Sequence, residues 1–426
     1  MNNTFAYQKT CLVKNDELIA KSLLLDPVIH AMRATRSQGY ATQYASFALV
    51  DDIDAHTKIM AVVQEKKALQ PLLLVIVGIG GSHLGAYAVY QALCAHGHQP
   101  TLDCCWADTV APEYGYQILL RIRQILQAGN HVILTIISKS GTTIETQAYA
   151  ACCIALLKEF YPSDYHRYIV VISDVGSPLA LQAHQESYTL LEIPQLVGGR
   201  YSVMSAVAFF PLAMLGINIQ ELRTGASDGV HEALQQGTES AVAINAAILA
   251  LHYDRGLHIH DFFIFDPALE ALGKWYRQLL AESIGKESSD GQQVGFMPTV
   301  SIGSVDLHSM VQRALAGPCD TFTTFLSVQA TDHDVTIPHL ADHYAGKKFS
   351  ELLRAMLLGT QHAYAHYQRP FVLHTLARVD AYQLGYYMQW KMIETIYLGF
   401  LLNVNPFDQP HVEAYKKETR KILNNE

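Results

Sequence analysis

Six consecutive residues, Ser138-Lys139-Ser140-Gly141-Thr142-Thr143, interrupt an apolar run and are followed by apolar residues at helical spacing. Ser138, Ser140, Thr142 and Thr143 offer hydroxyl donors, and a loop that opens a helix adds unbonded backbone N–H groups and the positive end of the helix dipole. That set suits a dianionic phosphate monoester. One hydroxyl would be read as an ordinary helix cap; four of them, with Lys139 and Gly141, fit a cradle better. A second loop, Gly78-Ile79-Gly80-Gly81-Ser82-His83-Leu84-Gly85, is rich in glycine but fits neither nucleotide fingerprint. His83 stands where the dinucleotide motif needs its third glycine, and Ala86 follows Gly85 where a triphosphate loop needs lysine.

Other residues have the types needed for moving protons. Arg200 follows Gly198-Gly199 and precedes a long apolar stretch, so its guanidinium can face an anion or a developing oxyanion. A lone arginine is ordinarily a surface ion pair, but the two glycines favour a functional reading. Lys274, Gln278 and Glu282 recur every four residues on one helical face, and Gly285 ends that helix. Glu282 is thereby a candidate general base, although spacing alone fits a solvated charge ladder better. His308 and Gln312 are again one turn apart. Two histidine pairs, His258 with His260 and His362 with His366, invite a metal reading. The second lacks the glutamate that zinc proteases place after the first histidine, so no metal is expected.

The elements that must hold these residues are short apolar runs at 72–77, 102–107, 131–138, 168–173 and 188–193, separated by segments long enough for crossover helices. Such a pattern predicts β-α repeats around a parallel, doubly buried sheet, with ligands at the carboxyl ends of the strands. Runs at 262–265, 297–302, 321–328 and 371–376 predict a second α/β unit, and the turn-former-rich stretch 216–229 reads as the link between the two. Residues 203–219 are apolar but broken by Pro211 and Gly216, which reads as a buried core helix rather than a membrane span. Pro410 precedes a charged segment from Val412 to Leu423, expected to be a terminal surface helix.

Among 426 residues, 50% are hydrophobic and 16% charged, which fits compact folding. A net charge of -9 gives no broad field for nucleic acid or anionic lipid, so an anion site must be local. The amino terminus lacks a signal-peptide pattern, and seven cysteines without zinc spacing read as buried free thiols in a reducing cytosol.

Taken together, GIGGSHLGA, SKSGTTIET, GGRYSVMSAV, ESIGK, DLHSMVQ and NPFDQPHVEAYKK resemble, in order and spacing, the bacterial glucose-6-phosphate isomerase family of the sugar isomerase (SIS) superfamily. The resemblance runs from about residue 70 to the carboxyl end, and departs from the family pattern at His83, Val311 and His411. It implies an α/β protein with two α/β/α sandwich domains. The chain would run as a mostly helical segment at 1–70, the first and larger domain at 71–215, a linker and helix at 216–255, the second domain at 256–405 and a carboxyl-terminal helix at 406–426.

The resemblance also implies site residues. Gly81, Ser82, Ser138, Lys139, Ser140 and Thr143 would line the phosphate site, with Gln278 and Gln409 also lining the pocket. Glu282 would move the proton between C1 and C2, and Arg200 would stabilise the enediolate. Lys416 and His308 would assist ring opening, with Glu145 orienting a histidine that the second subunit of a cytoplasmic homodimer supplies. No cofactor is implied. A mannose 6-phosphate isomerase and a silent phosphosugar-binding regulator are the alternatives.

Overall fold

The computed structural model describes residues 3–36, 38–339 and 343–424. After strand β1 (Thr4–Ala6) and three helices, the chain forms β2 (Pro71–Val77), β3 (Asp103–Ala107), β4 (His131–Ile137), β5 (Ile169–Ser173) and β6 (Thr189–Glu192). These five make one sheet in the order β3-β2-β4-β5-β6, with every pair parallel. Helices cover both faces, which is why β2, β4 and β5 read as near-continuous apolar runs: Leu73 to Val77 and Ile169 to Ile172 are wholly buried.

The second half supplies β7 (Ile259–Ile264), a small antiparallel hairpin of β8 (Lys286–Glu287) and β9 (Gln293–Val294), then β10 (Met297–Ile302), β11 (Thr321–Val328) and β12 (Phe371–Leu376). Here the sheet order is β1-β12-β11-β7-β10. β1 is its single antiparallel member, with Thr4 opposite Thr375 and Ala6 opposite Leu373. The architecture is α/β with parallel-type sheets, as expected, and the nine anticipated strands are present. The initial segment, read as mostly helical, also gives the second sheet its edge strand.

The stretch 216–229 is a correction. From Ile219 it is not turn but helix, Ile219–Gln236, capped by the Asn218 side chain, which accepts from the Gln220 and Glu221 amides. Its glycines serve helix packing: a Cβ on Gly225 would overlap the Tyr382 carbonyl, and one on Gly385 would overlap the Leu222 carbonyl. Helix Ala206–Met214 has all nine residues buried around Pro211, as the apolar stretch predicts. All seven cysteines are unpaired, but Cys152 and Cys319 are exposed, so only part of the buried-thiol reading holds.

Candidate active site

In the first sheet the chain passes from β2 to β3 on one side and returns to β4 on the other, so the loops after β2 and β4 meet at a topological switch point. A cavity of about 690 Å³ opens there. The β2 loop contributes Gly80, Gly81 and Ser82, and the β4 loop contributes Lys139, Ser140, Thr143 and Glu145. Gly81 must be glycine because a Cβ would overlap the Gly199 carbonyl, the point where the first loop meets the Gly198-Gly199-Arg200 segment.

No side chain caps the helix Ile144–Phe160 that the β4 loop opens. Its first-turn amides, which no helix can satisfy internally, are therefore left for a ligand. The Ser138 hydroxyl instead ties the loop together: it accepts from the Gly141 amide at 3.1 Å and lies 3.2 Å from Thr143 Oγ1. It is 3% exposed and faces a smaller cavity behind the loop, not the main one. Ser140 Oγ accepts from the Thr142 amide and hydroxyl. Burial pushes the Lys139 ammonium below the usual lysine range, with Asp174 opposing the shift.

Glu282 and Gln278 project from the last turns of helix Glu270–Ile284, on the face toward the cavity. Gln278 Nε2 donates to Glu282 Oε1 at 3.0 Å, while its Oε1 is buried without a partner. Lys274, one turn earlier, pairs with Glu270 instead. Arg200 is 2% exposed. Its Nε donates to Ser283 Oγ (2.7 Å), Nη1 to Gln409 Oε1, and Nη2 to the carbonyls of Pro406 (2.6 Å) and Asp408 (3.0 Å). A guanidinium has five N–H donors, so one remains, on the Nη1 that lies 3.7 Å from Glu282 Oε2. Lys416, on helix Val412–Asn424, closes the far wall and pairs with Glu413 at 2.7 Å.

His308 stands apart. It is exposed, in a short helical turn (Val305–His308) after β10, and does not line the cavity of its own chain. Gln312 falls in a separate helix, Val311–Ala316, so the one-face spacing of the two is not realised. His83 points inward, stacking on Tyr87 with its Nδ1 3.6 Å from Asp108. Burial holds its pKa below the usual histidine range.

Sequence reasoning missed Asp174, Gly176 and Ser177 after β5, and Gln195 and Glu413, all of which line the cavity. Ser173-Asp174-Val175-Gly176-Ser177-Pro178 carried a readable signal: a glycine loop after a strand, with Ser177 capping a helix that has proline in its first turn.

The sequence profile described as phosphoglucose isomerase matches residues 61–315. A glucose-6-phosphate isomerase of Thermus thermophilus is 35% identical over 87% of this chain and 89% of its own. One from Shouchella clausii is 33% identical over 82% and 79%. Among solved structures, a hypothetical protein of Thermus thermophilus superposes with TM-score 0.88 at 31% identity, covering 99% of both chains. A Chlamydia trachomatis glucose-6-phosphate isomerase shares the fold at TM-score 0.83 and 19% identity, covering 99% of this chain and 88% of that one. With the profile spanning more than half of the chain and relatives this similar along most of its length, the chain belongs to the phosphoglucose isomerase family.

Proposed function

We propose that the chain interconverts glucose 6-phosphate and fructose 6-phosphate through a cis-enediolate, and that Glu282 carries the proton. The observation that carries this reading is that a carboxylate, Glu282, and a buried cation, Arg200, stand 3.7 Å apart on the same cavity as an uncapped helix start. The phosphate docks against the 138–143 loop, the first-turn amides beyond it and Ser82, far enough from the reacting carbons that its binding energy serves orientation. Glu282 then removes the proton from C2 of the aldose, or from C1 of the ketose, and returns it to the neighbouring carbon. Charge grows on oxygen as this happens, and the one uncommitted N–H of Arg200 meets it. A preorganised donor of this kind contributes about 3–4 kcal/mol.

Gln278 steadies the carboxylate, and Lys416 and Gln409 act at the ring oxygen and hydroxyls during ring opening. His308 assists from a second copy, oriented by Glu145. Val305 and Met310 beside it are 68% and 38% exposed in the single chain, apolar surface that a partner would cover. The sheet-bearing segments 71–215 and 256–405 act as the two sugar-isomerase domains. Seven unpaired thiols suit a reducing cytoplasm, and among the described residues no helix is long and apolar enough to cross a membrane.

Glu282→Gln tests the assignment. The variant keeps the hydrogen bond to Gln278 and loses the base, so kcat should fall by about 10²- to 10⁴-fold while the affinity for the sugar phosphate stays near that of the parent. Turnover within a few-fold of the parent in a coupled assay would reject Glu282 as the base.

A further inference from the structure

Lys286 lies two residues beyond the helix that carries Glu282, and its side chain is 7% exposed. Its Nζ donates to the carbonyls of Asn405 (2.6 Å) and Asp408 (2.7 Å) and to Asp408 Oδ1 (2.7 Å). All three donors of the ammonium are therefore committed to a single turn. The same turn receives Arg200, whose Nη2 donates to the Pro406 and Asp408 carbonyls, so the Asp408 carbonyl accepts from both cations. Inside the turn, the Phe407 amide donates to Asn405 Oδ1 and Asn405 Nδ2 to Asp408 Oδ2, each at 3.0 Å.

This turn leads directly into the far wall of the cavity. Gln409 comes next and accepts from Arg200; Lys416 comes on a helix, Val412–Asn424, that has no buried residue. Such a helix has no buried side chain to anchor where it sits. Its origin is set by the turn at its root, and the turn is held by two cations.

We propose that Lys286 is a positioning residue: together with Arg200 it clamps the carbonyls of the 405–408 turn and so sets where Gln409 and Lys416 enter the cavity. The inference rests on the reading of that cavity as an isomerase site, and part of its test does not depend on the chemistry. Lys286→Met keeps the stem and removes the ammonium, so the Asn405 carbonyl and Asp408 Oδ1 lose this donor while the Asp408 carbonyl keeps Arg200.

In the full-length protein, four quantities are measured: kcat, KM, competitive inhibition by inorganic phosphate, and amide hydrogen exchange along the chain. The expected result is a fall in kcat of about ten- to a hundredfold, the scale of a misplaced catalytic group. Phosphate inhibition should stay unchanged, exchange should speed up only in 402–412, and Lys286→Arg should recover most of kcat. Parental kcat and parental exchange would overturn the proposal. So would faster exchange spread equally over 270–284 and the 138–143 loop, or phosphate inhibition weakening in step with kcat, since these mark general destabilisation. Should Lys286→Met fail to fold, Asp408→Asn keeps both carbonyls and removes the charged acceptor. It should give the same localised exchange with a smaller loss of kcat, and parental behaviour there also overturns the clamp. An active Glu282→Gln would remove the base assignment but leave the exchange result standing.

Discussion

Arg200 shows how much a side chain's surroundings add to its type. From the sequence it is an arginine after two glycines; in the fold it is buried, with four N–H groups spent on Ser283, Gln409, Pro406 and Asp408. Lysine cannot replace it, because an ammonium has three donors on one point and no planar fork. Arg200→Lys should therefore lower kcat by about 10²- to 10³-fold and raise KM far less, as steady-state kinetics with glucose 6-phosphate would show. The density of hydroxyls made the 138–143 loop stand out, but not which of them face the cavity. Ser138 turns inward because the loop needs an acceptor for the Gly141 amide, a demand visible only once the backbone is folded. Glu282 was legible as a residue on a helical face with Gln278; its approach to Arg200, far away in sequence, was not. His411, which departs from the family pattern, is not among the residues with positive φ, so its backbone is one that a residue with a side chain adopts readily.

Strands were the most legible elements. A strand buried on both faces has to be apolar along its length, so β2, β4 and β5 declared themselves, whereas the three-residue β1 carried too little pattern to be seen. Glycine misled the reading at 216–229, because it serves both turns and close helix contacts and its neighbours do not say which. In helix Ile219–Gln236, Gly225 lets the backbone of Ala381–Leu401 come against it. Gly225→Ala should force these helices apart and destabilise the protein by about 1–3 kcal/mol, despite alanine's better helix propensity. A lower urea midpoint, with kcat of the folded enzyme unchanged, is the expected result. An unchanged midpoint would mean the contact gives way at no cost.

On the scale of the whole molecule, the cavity belongs to neither sheet alone. The 138–143 loop comes from the carboxyl end of the first sheet, Glu282 from the helix after β7, and Lys416 from the carboxyl-terminal helix. His96 and Asp266, paired at 2.9 Å, join the end of helix Leu84–Ala95 to the segment after β7. This assembly explains why individual motifs were readable in the sequence while the distances between them were not: parallel sheets bring together loops that are remote along the chain.

A crystal structure of the complex with fructose 6-phosphate is the most direct test. The phosphate oxygens should be bound by the 138–143 loop and a carboxylate oxygen of Glu282 should lie about 3–3.5 Å from C1 and C2, with Arg200 beside their oxygens. A ketose whose reacting carbons rest against a different carboxylate, with Glu282 turned to solvent, would contradict it.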